Sequence, residues 1–443
     1  MNPLWLVGLT LAGAVAAAAF GRRRVYVIAV GLATTIVCYA AIRSLAPGQS
    51  GIFLQQEWVL DSSGQVLLAY MYATTTILLL IAAANEQAAY NTPVLLAAVG
   101  LFAVLTLLRS QWLSLLILPA AMLVPTLGTL PASPSAARGA TRYLIWVTLP
   151  IPFLLVIPAL LGQMTVRPQE VEWVTRSAWL VLPAALLWLN LFPVDAATSL
   201  WASDGAPLMP SFVWLVQQVA VLHLLLRFWQ AHPSLWTQPV LSALEAFALL
   251  TILLGGVSAV IQASPSAVLG KAAMVTMGIA VLGVTQNSAE GLLASGAILA
   301  GRSSTVLLAC ATLAALYQIP AEPVPEENQQ RYWQKLLLMV LALAITATIT
   351  LPALPLSQEG AGVLGILSQQ ETVLQRLWQL SLAGIVLGQI RTIWLLWKTR
   401  LCRSMGRVPM VSGLPVALLL LWCLYLALEP QVLTRLALTV VPR

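Results

Sequence analysis

The chain has 443 residues, of which 60% are hydrophobic and 8% charged, and its mean hydropathy is +0.89. A soluble domain cannot hide so much apolar surface, so the composition predicts a polytopic membrane protein surrounded by lipid. The net charge of +7 is small and scattered, which argues against a nucleic-acid partner. Four widely separated cysteines support neither a disulfide framework nor a metal site.

About fourteen apolar segments are long enough to span a bilayer. They lie near residues 3–20, 25–44, 62–84, 93–109, 111–130, 143–162, 177–193, 211–230, 239–261, 272–286, 291–316, 335–352, 375–397 and 409–428. Every span is helical, so the predicted fold class is all-α. The basic cluster Arg22, Arg23 and Arg24 follows the first span, which places the N-terminus outside.

The charges of the loops support this arrangement, because cytoplasmic loops of membrane proteins carry an excess of Lys and Arg. The loops predicted to be cytoplasmic hold Arg138, Arg142, Lys271, Arg331, Lys335, Lys398, Arg400, Arg403 and Arg407, and the opposite loops hold Glu57, Asp61, Glu170, Glu172, Glu359 and Glu371. The Pro- and Glu-rich residues 317–333 form the clearest cytoplasmic loop. We expect a protein of the bacterial inner membrane with both termini on the outer side.

Residues 192–229 interrupt the apolar pattern most strongly. Asp195 precedes a corner made by Gly205, Pro207 and Pro210, and a helix follows it. In a bilayer such a break is tolerated where the freed backbone groups line a buried or hydrated cavity. The corner is therefore either a re-entrant break in a helix or a polar loop between two spans.

This stretch resembles the signature of the antiporter-like membrane subunits of complex I. Pro193, Trp201, the triplet at 205–207 and the Leu-Leu-Arg ending at Arg227 take the places of the family motif. Three further segments match in the family's order: "WVLDSSGQVLLAYMY" at 58–72, "GGVSAVIQASPSAVLGKAAMVTMG" at 255–278, and "LPALPLSQEGAGVLGIL" followed by "QIRTIWLLWK". The resemblance extends over residues 58–400.

The resemblance implies two inverted five-helix repeats, each with one discontinuous helix. The expected divisions are an N-terminal three-helix segment at 1–92, a first repeat at 93–230, a second repeat at 239–397 and a C-terminal helix at 398–443. The family's partner subunits carry the quinone site and the iron-sulfur clusters. We expect no cofactor on this chain, no catalytic residue and no metal ligand.

The family relays protons through buried glutamate, lysine and histidine, and this sequence departs from that pattern. Ala120 takes the place of the glutamate, Trp188 and Val219 take the places of two lysines, and Asp195 or a neighbour replaces the corner histidine. In the second half, Ile298 and Arg302 stand where a histidine and a lysine are expected. Arginine keeps its charge and is a poor proton carrier. The relay is predicted to be largely lost.

The remaining interior polar residues have open interpretations. Arg302 is either a fixed charge on a water path or a cation paired with a carboxylate or with backbone carbonyls. Glu245 is expected to pair with Arg227 near the outer face. Lys271 is expected at a cytoplasmic helix start, as an anchor that reaches toward the membrane surface.

Two further residues are candidates. His223 is expected to have a packing role, although proton transfer is compatible with its chemistry. Arg391 either reaches toward the membrane surface or meets a partner subunit.

Three functions follow. The first is a non-catalytic membrane-arm subunit of a complex-I-like proton-translocating assembly, with other membrane-arm subunits as partners and a structural or modified proton path. The second is an ion-transport module of the Mrp or inorganic-carbon-uptake kind. The third is an unrelated secondary transporter with a coincidental similarity.

Overall fold

A computed structural model gives the fold of the chain. It describes residues 3–21, 23–53, 55–83, 88–128, 134–166, 171–192, 208–317, 372–396 and 410–428. These residues are almost entirely helical. Within them, eight helical segments are long and apolar enough to cross a membrane. The polytopic helical class is therefore confirmed.

The helices follow the predicted order. They are α1 (Leu4–Ala19), α2 (Arg24–Ser44), α3 (Ser62–Ala83), α4 (Ala88–Leu107), α5 (Gln111–Leu127), α6 (Pro134–Thr148), α7 (Ile151–Val166), α8 (Val171–Trp188), α9 (Leu208–Ala231), α10 (Gln238–Ala259), α11 (Pro265–Thr285), α12 (Ala289–Tyr317), α13 (Thr372–Leu396) and α14 (Met410–Leu428). The predicted span at 335–352 lies outside the described residues. The total of about fourteen spans and the division into two inverted repeats stay predictions.

The span predicted at 143–162 is divided between two helices. Helix α6 ends at Thr148, and α7 begins at Ile151 after a turn at Leu149 and Pro150. Proline has no N–H to donate and clashes with the preceding helical turn, so the helix ends before it. Pro152 then lies in the first turn of α7, where a missing N–H costs little.

A β-hairpin is the element that the sequence analysis missed. Strands β1 (Gln49–Phe53) and β2 (Gln56–Leu60) pair antiparallel between α2 and α3. The hairpin is attached to the end of α4, because the Arg109 N–H donates to the Glu57 carbonyl at 3.0 Å and their side chains form a salt bridge at 2.5 Å. It covers one end of the N-terminal helices.

Helix α9 lies at the centre of the bundle and changes its winding along its length. Residues Leu208–Phe212 are α-helical, Val213–Gln217 form one π-helical turn, and Gln218–Ala231 are α-helical again. Nearly all of its side chains are buried. A π turn is wider than an α turn and displaces the main-chain hydrogen bonds locally. This helix therefore brings irregular backbone into the protein interior.

Helices α10 and α13 approach each other closely through small residues. A Cβ atom on Gly256 would lie 2.3 Å from Cα of Ser381, and one on Gly388 would lie 2.3 Å from the Ala259 carbonyl oxygen. Small residues allow such approach where no hydrophobic effect drives helices together. The contacting positions ascend together along both helices, so α10 and α13 run parallel.

Candidate functional site

The interior polar site is built around Arg302 of α12. The side chain is buried, at 1% exposure. Its Nη2 donates to the Trp214 carbonyl at 2.8 Å and its Nη1 to the Ala273 carbonyl at 3.4 Å. Its Cζ also lies 5.6 Å from the centre of the Trp214 ring, which is a cation–π geometry. Of the two interpretations of Arg302, binding to backbone carbonyls is the one with observed contacts.

The π turn of α9 explains why those carbonyl groups accept side-chain donors. Trp214 and Leu215 lie inside the turn, where the usual helical hydrogen bonds are displaced. The Tyr70 hydroxyl of α3 donates to the Leu215 carbonyl at 2.9 Å and lies 2.6 Å from the Ser303 hydroxyl. Side chains of α3 and α12 therefore complete the hydrogen bonding of α9.

Gln217 and Gln218 follow directly, at the junction between the π turn and the α-helix. Both are fully buried. The Gln217 amide N–H donates to the Tyr143 hydroxyl of α6. Within the described residues, Oε1 of Gln217, both side-chain polar atoms of Gln218 and Nε1 of Trp214 have no hydrogen-bond partner. Each such buried atom costs about 1–3 kcal/mol when nothing else satisfies it.

Trp188 and Ile298, at two of the expected relay positions, are packed as apolar core residues. Both side chains are buried. Nε1 of Trp188 donates to the Val147 carbonyl of α6 at 3.0 Å, so the indole has its hydrogen-bond partner. Neither residue can gain or lose a proton, and both fill space.

The residues at two other expected relay positions are not buried. Ala120 is exposed on the surface of α5, and Val219 is only half-buried on α9. Their neighbours Ala121 and Gln218 face the interior. The interior residues at these turns are also unable to titrate.

The structure also corrects the place of Lys271. Helix α11 begins at Pro265, and the Ser264 hydroxyl accepts from the Ala267 N–H at 3.3 Å as its N-cap. Lys271 is consequently about two turns inside the helix and buried. The Ser-Pro start signal identifies this boundary from sequence, and the prediction at residue 272 passed over it.

Arg227 has a different partner from the predicted Glu245. Its Nη2 lies 3.6 Å from Oδ2 of Asp61, and its Nη1 donates to the Thr106 carbonyl at 2.6 Å. No salt bridge to Glu245 occurs among the described residues. The prediction failed because α9 turns this arginine toward α3 and α4. Asp61 also accepts from the Gly64 N–H at 2.5 Å and thereby caps α3.

The remaining candidates are dispersed. His223 is buried on α9, one turn before Arg227, and its Nε2 has no hydrogen-bond partner within the described part of the chain. Arg391 is exposed, and its Nη1 donates to the Val260 carbonyl at the end of α10 at 2.7 Å. Pro210 is buried in the first turn of α9. Asp195, Gly205 and Pro207 lie outside the described residues.

In the part of the chain that the structure describes, no group of three His, Cys, Asp or Glu side chains lies close enough together to hold a metal ion. The site is instead a fixed guanidinium beside a π turn and a pair of buried amides. Its groups can bind polar molecules and hold helices together.

Comparisons with known proteins place the fold. No protein-family model matches the sequence, and no curated protein matches it. Solved structures match over almost the whole chain. A chain of the membrane-bound sulfane sulfur reductase, an archaeal respiratory membrane complex, aligns with a TM-score of 0.77 at 13% identity, covering 99% of this chain and 96% of that chain. This protein has the fold of antiporter-like membrane subunits.

Two more structures agree with that fold. A chain of respiratory complex I from Thermus thermophilus aligns with a TM-score of 0.71 at 16% identity, covering 98% of this chain and 100% of the other. A chain of the Mrp complex from Dietzia sp. aligns with a TM-score of 0.73 at 16% identity, covering 98% of this chain and 51% of the other. The antiporter-like fold expected from the resemblance is confirmed.

Proposed function

We propose that this antiporter-like chain is a non-catalytic membrane-arm subunit of a complex-I-like, redox-driven assembly in the bacterial inner membrane. It contributes packing and a modified polar interior to that assembly, and its partners are other membrane-arm subunits. The fold supports the assembly type, since two of the similar structures come from respiratory complexes. In this proposal the quinone site and the iron-sulfur clusters belong to the partner subunits.

The observation that carries the proposal is the occupancy of the relay position at Trp188. A proton relay requires interior groups that gain and lose a proton. The Trp188 indole fills one such position and donates its single N–H to the Val147 carbonyl. Among the described residues the buried side chains of charged type are His223, Lys271 and Arg302, and no Asp or Glu is buried.

The same residues limit the kind of path that could remain. Arg302 is held by main-chain carbonyl groups of α9 and α11 and keeps its charge. Lys271 and His223 are the described interior side chains that could exchange a proton. They lie on different helices, Lys271 on α11 and His223 on α9. The proposal therefore assigns this chain no continuous row of proton-exchanging side chains.

The alternative is an ion-transport module of the Mrp or inorganic-carbon-uptake kind. The similarity to a chain of the Mrp complex favours it. A cation path in such a module requires interior carboxylates, whereas no Asp or Glu side chain is buried among the described residues. We therefore rank the complex-I-like subunit first.

Purification from native membrane separates these functions. The chain, carrying a small affinity tag, is extracted in mild detergent and run on a native gel, and co-migrating chains are identified by mass spectrometry. We expect quinone-reductase or hydrogenase-like subunits in the same band. Migration as a lone monomer would contradict the first function, and co-migration with Mrp-type subunits alone would favour the second.

A further inference from the structure

Three side chains at the π turn of α9 carry polar atoms without a hydrogen-bond partner within the described residues. The atoms are Nε1 of Trp214, Oε1 of Gln217, and Nε2 and Oε1 of Gln218. All three residues are 0% exposed. Rotating the Gln218 amide by 180° does not solve the problem, because both of its ends lack a partner. The missing partners of Gln218 therefore do not depend on which way its amide is oriented.

The chemistry of these atoms indicates which kind of molecule satisfies them. The two nitrogen atoms carry donors, and the two oxygen atoms are acceptors. An anion would use the donors and leave the oxygen atoms unsatisfied. A metal cation would use only the oxygen atoms and would be repelled by Arg302, whose guanidinium lies over the Trp214 ring. A molecule that both donates and accepts is required.

Water has this property. Buried waters in proteins typically make about three hydrogen bonds to polar groups that would otherwise be unsatisfied. Trp214 and Gln218 are one turn apart on the same helix, and Gln217 is adjacent. The wide π turn therefore presents donors and acceptors within a short length of α9.

We propose that Trp214, Gln217 and Gln218 bind an enclosed group of water molecules inside the membrane-spanning bundle, beside the Arg302 guanidinium. The binding groups do not ionise, so this is a hydration site and differs from a titrating relay. The observations that support the site concern only α9 and the side chains that contact it. The proposal therefore goes beyond the proposed function and holds whichever complex the chain joins.

Hydroxyl-radical footprinting of the full-length protein in lipid nanodiscs tests the site. X-ray irradiation in ¹⁸O-water produces radicals from bound water, and these oxidise adjacent side chains. Trp188 is a matched control, because it is also a buried tryptophan but its Nε1 donates to the Val147 carbonyl at 3.0 Å. We expect Trp214 to acquire ¹⁸O several-fold faster than Trp188. Equal rates for the two residues, whether slow or fast, would overturn the proposal.

The substitution Gln218→Leu removes one donor group and one acceptor from the site. We expect the labelling rate of Trp214 to fall toward that of Trp188, while the rate of Trp188 stays unchanged. An unchanged rate at Trp214 would show that its label comes from elsewhere and would count against the site. If this variant does not fold, the comparison of the two tryptophans in the natural protein still decides. The result is independent of which subunits co-purify.

Discussion

Arg302, which is buried, and Arg227, which is partly buried, show how cations are accommodated in this bundle. Arg302 uses main-chain carbonyl groups, and Arg227 uses the Asp61 carboxylate together with the Thr106 carbonyl. A guanidinium has five N–H donors in a rigid fork, so it can bridge several acceptors at once. Both arginines connect helices that are distant in sequence. Their observed contacts are those of structural groups.

A double-mutant cycle tests the partner of Arg227. We expect Arg227→Gln and Asp61→Asn to be coupled by on the order of 1 kcal/mol in unfolding free energy, because the pair is only partly exposed. Asparagine retains the capping acceptor of Asp61, so the cycle isolates the charge. The measurement is reversible unfolding in mixed micelles.

The control is the same cycle between Arg227→Gln and Glu245→Gln. We expect no coupling beyond about 0.3 kcal/mol, because sites without a shared contact are additive. Stronger coupling with Glu245 than with Asp61 would reject the observed pairing.

Sequence analysis located several interior residues but not their partners. The depth of Arg302 follows from its place in an apolar segment. Its binding to the Trp214 carbonyl depends on a π turn, which has no strong sequence signal. The wrong partner for Arg227 came from choosing a carboxylate that was expected inside a span near the same outer face. Packing decides toward which neighbour a side chain of a central helix points. The hydrophobic periodicity of α9 was too weak to predict that direction.

The π turn of α9 is the most specialised element of the bundle. Its carbonyl groups at Trp214 and Leu215 depend on side chains from α12 and α3. In a membrane interior, helix irregularity persists only where such partners exist. The π turn is therefore stabilised by side chains of other helices as well as by its own residues.

Removal of one hydroxyl tests this dependence. Tyr70→Phe deletes the partly buried hydroxyl that donates to the carbonyl of the fully buried Leu215. We expect a loss of about 1–3 kcal/mol in unfolding free energy, because the carbonyl loses a partner that water replaces poorly. Tyr90→Phe is the matched control, since its hydroxyl donates to the Leu127 carbonyl from an exposed position. Its cost should stay within about 0.5 kcal/mol. Equal losses in reversible unfolding would contradict a special role for Tyr70.

Helix positions were predictable because long apolar segments in a membrane have few alternatives to a helix. The β-hairpin was missed because its strands are short and lie outside the apolar spans. The break between α6 and α7 was missed because apolar residues continue on both sides of Pro150. Hydropathy identifies where the chain is in lipid, but it does not identify local breaks.

At the scale of the whole molecule, three helices are joined at one end of the bundle. Arg227 of α9 contacts Asp61 at the start of α3 and the Thr106 carbonyl of α4. Helices α10 and α13 correspond to predicted spans nine and thirteen, which must run parallel. Gly256, Ala259 and Val260 of α10 contact successively later residues of α13, so the two helices are parallel.

Reporter fusions test the predicted sidedness. Alkaline phosphatase requires disulfide formation and is active only outside the cytoplasm. We expect activity when the enzyme is joined after Arg443, because that end is predicted to face outward. An insertion within residues 317–333 is the control and should be inactive. Activity at the internal loop or inactivity at the end would reject the predicted topology.

The overall fold was predictable from the sequence because several weak matches occurred in one order along the chain. Each match alone was unspecific. The interior of the site was less predictable, because a shift of one residue moves a side chain from the core to the surface, as with Ala120 and Ala121. Order along a chain tolerates small offsets, whereas the direction of a side chain does not.

The hydrogen bond from Trp188 to the Val147 carbonyl has a consequence for substitution at this position. A lysine introduced at residue 188 would leave part of the indole volume empty. Its ammonium would either donate to the Val147 carbonyl or leave that carbonyl without this hydrogen bond. Neither result gives a freely exchanging proton site. A titrating side chain at this position would require a second change on α6 at the same time. The tryptophan and its carbonyl partner on α6 therefore restrict which residues this position accepts.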